Sequence, residues 1–206
     1  MYSQGMGFYE RGLAQYWHGV FEKLPRKRVF IETGTFEGAT ARQALNSFRN
    51  VHSVEASNLY YETSKENLKD TDVELHFGES PKILDKLLPT LDFDFYVFFL
   101  DAHFSSGDTY GDYLNQPLLL ELETIIKHID PNSYLILIDD MRLLTGHLGY
   151  LTLSEIWRMF TKSDAIECIS IDDVLVLSGK RTIEKIGNPN DFSKVASLIP
   201  HWQISN

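Results

Sequence analysis

Five short apolar runs alternate with helical patterns along this chain, and that alternation restricts the fold more than any other feature. Residues 28–32, 51–55, 73–77, 93–100 and 134–138 have the length and composition of strands. The last two are apolar almost throughout, as expected of strands covered on both faces. Between the runs the spacing turns helical. Over 8–23, Leu13, Tyr16, Trp17, Val20 and Phe21 recur at helical intervals, and 39–48, 60–68 and 116–129 read as further helices. Ser80-Pro81 opens another, with Ser as cap and Pro as first helical residue, and Ile83, Leu84, Leu87 and Leu88 share its face. Asp130-Pro131-Asn132 closes the helix before the fifth strand. Thr152 and Glu155 match a capping box, which predicts a helix to about residue 162. Residues 166–171 and 174–178 flank Asp172-Asp173 as a closing antiparallel hairpin.

Strands alternating with helices make parallel βαβ units with helices on both faces of one sheet. A length of 206 residues suits one domain. The expected layout is a helical cap over 1–27, a core over 28–179 and a tail over 180–206. Apolar residues at 43% and charged residues at 23% are ordinary for a globular protein. The net charge of −10 disfavours a nucleic acid as partner, because phosphate binding needs clustered Lys and Arg. The densest basic run, Arg26-Lys27-Arg28, leads straight into a strand and reads as a solvated strand entrance. No apolar run is long enough to span a bilayer, so no membrane partner is expected. The N-terminus lacks a basic-then-apolar signal layout. The single cysteine, Cys168, cannot form an internal disulfide and reads as a small core residue. A reducing, cytoplasmic setting is the expectation. Whether the chain forms a homo-oligomer is left open.

In open parallel sheets, ligands bind outside the carboxyl ends of the strands, where strand order reverses. The residues just past each strand are therefore the first candidates. Past the first lies Glu32-Thr33-Gly34-Thr35-Phe36-Glu37-Gly38. Its glycines permit a tight turn and a bare backbone for a ligand to lie against. It is not the dinucleotide pattern, which needs a glycine where Phe36 stands. Glu55 ends the second strand about 20 residues further on, an offset at which a carboxylate can accept both hydroxyls of a ribose. Gly78-Glu79-Ser80 follows the third strand and offers polar groups to an adenine edge, or a helix cap, or both.

The order E-x-G-x-x-x-G, an acid ending the second strand and an acid ending the fourth resembles the class I S-adenosylmethionine-dependent methyltransferases, over about residues 28–179. The resemblance implies a Rossmann-like α/β fold: a doubly wound, mostly parallel seven-stranded sheet with a C-terminal antiparallel hairpin. It also implies S-adenosyl-L-methionine as cosubstrate. Glu32, Thr33, Gly34, Thr35 and Gly38 would face the cofactor's methionine part, with Glu32 near its ammonium. Glu55 would hold the ribose, Glu79 and Ser80 would lie near the adenine, and Asp101 would complete the cofactor site.

Past the fourth strand comes Leu100-Asp101-Ala102-His103, and past the fifth Ile138-Asp139-Asp140-Met141-Arg142. Neighbouring strands would bring Asp101, Asp139 and Asp140 to one rim. Clustered carboxylates need a compensating positive charge, which Mg²⁺ or a similar oxygen-preferring cation supplies. This D…DD arrangement is similar to the macrocin O-methyltransferase group of metal-dependent sugar and natural-product O-methyltransferases. It departs from that group at position 103, where the group has an acidic base and this chain has His. Three roles stand open for His103: base, fourth metal ligand, or structural imidazole. Asp101 is the second catalytic candidate. The 105–115 stretch is polar, and Asp108, Tyr110, Asp112, Arg142 and His147 are candidate substrate contacts. Tyr9, Tyr16 and Trp17 of the first helix would either cover the pocket or pack in the core.

The expected function is methyl transfer to a hydroxyl of a small polar acceptor, a sugar or natural-product glycoside. A metal-dependent hydrolase or phosphoesterase would use the same acids but leave the glycine turn and Glu55 without a role. A non-catalytic cofactor-binding protein is the third reading.

Overall fold

Parallel pairing of the apolar runs is borne out by the computed structural model of the chain, which describes residues 13–102, 117–147, 150–160, 166–171, 174–179 and 182. The strands are β1 (Arg28–Thr33), β2 (Val51–Glu55), β3 (Val73–Phe77), β4 (Phe95–Leu100), β5 (Tyr134–Ile138), β6 (Ile166–Ile171) and β7 (Val174–Gly179). The helices are α1 (Leu13–Glu22), α2 (Ala39–Ala44), α3 (Asn58–Leu68), α4 (Ser80–Leu87), α5 (Leu118–His128) and α6 (Leu153–Phe160). The sheet runs in the order β3-β2-β1-β4-β5-β7-β6. Strands β1 to β5 are parallel, while β7 runs antiparallel to β5 and β6 antiparallel to β7. This is the Rossmann-like α/β architecture with a C-terminal antiparallel pair.

Alternation of side chains along each strand sends two sets of apolar residues to opposite faces. On one face Phe30, Val97, Phe99 and Leu137 pack under Trp17 and Phe21 of α1 and Ala41 of α2. On the other, Ile31, Phe98 and Ile136 meet Leu84 of α4, Leu122 and Ile125 of α5, and Phe160 of α6. Trp17 is fully buried and stacks on Phe21 with ring centroids 5.9 Å apart. It is therefore core packing rather than a cover for the pocket. Tyr9 and the side chain of Tyr16 lie outside the described residues, as does the side chain of Cys168.

Several boundaries differ from the sequence expectation for local reasons. The second helix stops at Ala44, not 48, because Asn46 and Ser47 enter a turn that bonds back to Gln43 and Ala44. The carbonyl of Ser47 then receives the Arg28 guanidinium at 3.0 Å, and Leu24 receives it at 3.2 Å. Arg28 is thus held at the strand entrance, and Lys27 beside it pairs with Asp92 at 2.7 Å. Strand β4 begins at Phe95, after the Asp94 N–H has bonded to Lys27. Ser80 does not cap α4. Glu79 occupies the cap position, and the Ser80 hydroxyl donates instead to the carboxyl of Glu121. The capping box of α6 is present: Thr152 N–H donates to Glu155 Oε2 at 2.7 Å, and Glu155 N–H to Thr152 Oγ1 at 3.1 Å. Asp172 and Asp173 lie outside the described residues.

This packing predicts two effects of different size. Leu122→Ala, at a fully buried position, is expected to lower stability by about 2–5 kcal/mol. Thr152→Ala, at the cap, should cost only about 1 kcal/mol. Urea unfolding of both variants measures the contrast.

Candidate active site

Strand order reverses at β1, which has β2 on one side and β4 on the other. The crevice outside this switch point is where such sheets accept ligands. Gly34 sits there. Its N–H donates to Val54 of β2 at 2.9 Å, and its φ of 85° lies in the left-handed region. A Cβ at Gly34 would stand 2.6 Å from the backbone oxygen of Asp101. The glycine is thus required so that the ends of β1 and β4 can meet. Its missing side chain makes room for the end of β4. Gly38, also at φ 85°, faces Leu68 of α3 in the same way, with a Cβ only 2.9 Å from that side chain.

The turn is fastened to β2 by Glu55. Phe36 N–H donates to Oε2 at 2.9 Å and Ser57 N–H to Oε1 at 2.8 Å. Phe36 has a φ of 52°, which costs a side chain-bearing residue strain. Its ring packs on Tyr60 with centroids 4.5 Å apart. Glu55 is 7% exposed, and each of its oxygens accepts one of these backbone N–H groups and has a second acceptor lone pair.

One residue pair in from the rim, the register places Glu32 opposite Ser53. The Ser53 hydroxyl donates to Glu32, and Thr35 Oγ1 lies 2.6 Å from Ser53 Oγ. Glu32 is 1% exposed. Burial pushes its carboxyl up to about 8, against a lowering by Ser53 and with further raising by Asp101 and Glu55. It is therefore a largely neutral, buried strut at pH 7.

Beyond β4 and β5 a pocket of about 400 Å³, its open mouth included, is lined by Asp101, Asp139, Asp140 and Glu121 together with apolar groups such as Leu100 and Ile138. The three aspartates expected at one rim do share it. Backbone bonds fix the approach: Asp101 N–H donates to Thr33 at 3.0 Å and Asp139 N–H to Leu100 at 3.1 Å. Asp140 takes a left-handed φ of 53° and pairs with Arg142 at 2.6 Å, so a positive charge already stands against it. Among the described residues, the aspartates do not form a three-carboxylate group with all ligand atoms within 4.8 Å. They share a pocket without closing into a cage.

Glu121 escaped the sequence reading. It is 1% exposed, and burial pushes its carboxyl up to about 7, with Ser80 lowering it and Asp101 raising it. The signal was available: Glu121 falls on the same helical stripe as Leu118, Leu122 and Ile125, where an acid is out of place. Glu79 points elsewhere, pairing with Lys82 at 2.7 Å. His147 is exposed on the loop after β5. His103, Asp108, Tyr110 and Asp112 lie outside the described residues.

The sequence matches no protein-family model and no curated protein. Its fold is shared with solved structures. An O-methyltransferase from Bacillus cereus in complex with SAH has a TM-score of 0.62 at 13% identity, over 86% of this chain and 83% of that one. The O-methyltransferase TomG from Streptomyces achromogenes, in complex with SAM, has a TM-score of 0.60 at 19% identity, over 82% and 79%. A putative caffeoyl-CoA O-methyltransferase from Staphylococcus aureus has a TM-score of 0.56 at 15% identity, over 82% and 83%. At these identities the likeness is one of fold.

Two outcomes follow from the geometry. Gly34→Ala is expected to cost about 1–3 kcal/mol, through its positive φ and the contact with Asp101, as read by chemical denaturation. Glu32 and Glu121 have folded values raised above the unfolded value of 4.5. Their contribution to stability is full below about pH 4.5 and is lost as pH rises through about 7 and 8. Unfolding midpoints should fall across that window, and Glu32→Gln should flatten the decline.

Proposed function

We propose that the chain is an S-adenosyl-L-methionine-dependent O-methyltransferase acting on a hydroxyl of a small polar acceptor, with a sugar or natural-product glycoside as the favoured class. The observation that carries the reading is the junction of two features at the switch point. The Glu55-fastened turn at Gly34 and the carboxylate-lined pocket of Asp101 and Asp139 meet through the Gly34–Asp101 backbone contact. Fold neighbours that are O-methyltransferases in complex with SAM or SAH support it. The acidic balance of the chain supports a small-molecule acceptor over a nucleic acid.

The residues present fit the cosubstrate. Glu55 is oriented by two backbone N–H groups and keeps acceptor capacity for ribose hydroxyls. Thr33 and Thr35 flank the turn at Gly34, with Thr35 tied through Ser53 to Glu32. Glu32 acts through that chain, setting the turn rather than touching the ammonium. Glu79 and Ser80 follow β3 at the adenine side, where Ser80 fixes the buried Glu121. Methyl transfer forms a C–O bond as the C–S bond breaks, so the protein must align the acceptor and accept its proton. We assign the base role to His103, because an imidazole side chain ordinarily takes up and gives back a proton near neutral pH. Asp101 lies two residues before it at the rim and positions acceptor and metal. Asp101 and Asp139 would hold Mg²⁺ or a similar divalent cation, with Asp140 behind them on Arg142. Such a cation, when bound, lowers the pKa of a coordinated hydroxyl. Arg142, which pairs with Asp140, and His147, on the loop after β5, are proposed acceptor contacts.

S-adenosylhomocysteine tests cofactor binding without turnover. At about 100 times its Kd it should stabilise the fold by roughly 2.7 kcal/mol, seen as a raised melting temperature. Asp139→Asn should keep that shift but lower methyl transfer by about 100-fold or more. EDTA should reduce turnover of the unmodified chain. A chain that shows the thermal shift and no transfer to any hydroxyl acceptor would be a binding protein. Absence of any shift removes the proposal altogether.

A further inference from the structure

A second polar cluster lies well away from this rim, at the edge of the sheet. Strand β3 is the outermost strand and pairs in parallel with β2, with His52 opposite Glu74 and Val54 opposite His76. Residues 74 and 76 are two apart, so their side chains share a face. The register brings His52 to that same face. His52 Nδ1 lies 3.1 Å from His76 Nε2 and 3.6 Å from Glu74 Oε2. All three ligand atoms lie within 4.8 Å of one another, the one such group of His, Cys, Asp and Glu among the described residues.

These separations have a chemical meaning. A tetrahedral ion with ligand bonds of about 2.0–2.2 Å spaces its ligand atoms by roughly 3.3–3.6 Å. The two measured distances bracket that value. Two imidazoles and one carboxylate form an N₂O donor set, which suits Zn²⁺ and its neighbours rather than Mg²⁺ or Ca²⁺. Without an ion, the same atoms make a ring-to-ring hydrogen bond and a cross-strand His52–Glu74 pair, so the cluster is already assembled for a ligand to enter. The Glu74 side chain is 68% exposed while His52 is buried, so the cluster opens to solvent on one side. That opening supplies an entry path and room for a water as fourth ligand.

We infer that His52, Glu74 and His76 form a binding site for a divalent transition-metal ion of the Zn²⁺ type that fastens the edge strand β3 to β2. The need for a fastening is visible in β3 itself, where Val73 is only partly buried and Phe77 is exposed. The site is separate from the carboxylate rim and does not depend on the methyltransferase reading. In sequence its mark is Glu74-Leu75-His76 on one strand and a lone histidine on the strand before it.

The test uses the full chain, stripped with a chelator and then exchanged into chelator-free buffer. Calorimetric titration with Zn²⁺ should show one ion bound at this cluster. Co²⁺ should give the visible absorption of a tetrahedral site. His76→Asn should weaken binding by more than the roughly 10–100-fold that loss of a supporting outer contact costs. Glu74→Gln, at the exposed edge, serves as a second variant should His76→Asn fail to fold by circular dichroism. Asp139→Asn, at the other site, should bind Zn²⁺ at this cluster as the unmodified chain does. Zn²⁺ should also raise the melting temperature of the unmodified chain but not of His76→Asn. Absence of stoichiometric binding, or equal affinity in folded His76→Asn and Glu74→Gln, overturns the inference.

Discussion

The close approach of the β1 and β4 ends is the constraint on which the rest depends. Gly34 and the Asp101 backbone come together so tightly that a single added carbon would stand 2.6 Å from a carbonyl oxygen. That contact joins two halves of the rim. On one side the turn is bound to β2 through Glu55; on the other Asp101 lies next to Asp139 along the pocket between β4 and β5. A chain with a larger residue at 34 would have to separate these strands or rotate the turn, and either movement would part the turn held by Glu55 from the pocket that Asp101 and Asp139 line.

The rim also concentrates acid where burial makes charge costly. Glu32 and Glu121 are sealed beneath it and respond by holding protons near neutral pH. Serine hydroxyls receive the task of satisfying them: Ser53 for Glu32 and Ser80 for Glu121. The aspartates above are less buried, and at least one, Asp140, has a cation beside it in Arg142. Burial is thus graded from the sealed carboxyls within the sheet to partly exposed ones at the mouth. A positively charged or cation-bound ligand would meet its counter-charge at the mouth without disturbing the struts below.

Much of the site could be read from residue order. The acids ending β2, β4 and β5, and the glycine turn after β1, were found because strand ends can be recognised from apolar runs and turn residues. What could not be read was the direction of each polar group. Ser80 looked like a helix cap, yet its hydroxyl crosses to a helix 41 residues away. Glu32 is recognisable as the acid near the end of β1, but only the register shows that it lies against Ser53 inside the sheet. The His52–Glu74–His76 cluster was missed because its members are remote in sequence and are joined only by a parallel pairing that no local pattern encodes.

The chain alone determines the α/β class, the strand and helix positions to within a few residues, and the two-sided burial of β4 and β5. These follow from periodicity and turn chemistry, which act over a few neighbouring residues. Tertiary structure alone decided why Gly34 must be glycine, which carboxyls are neutral, and that the three aspartates share a pocket without closing into a cage. Each of those depends on distances and solvent access between segments that meet only when the sheet assembles, so no reading along one dimension can contain them.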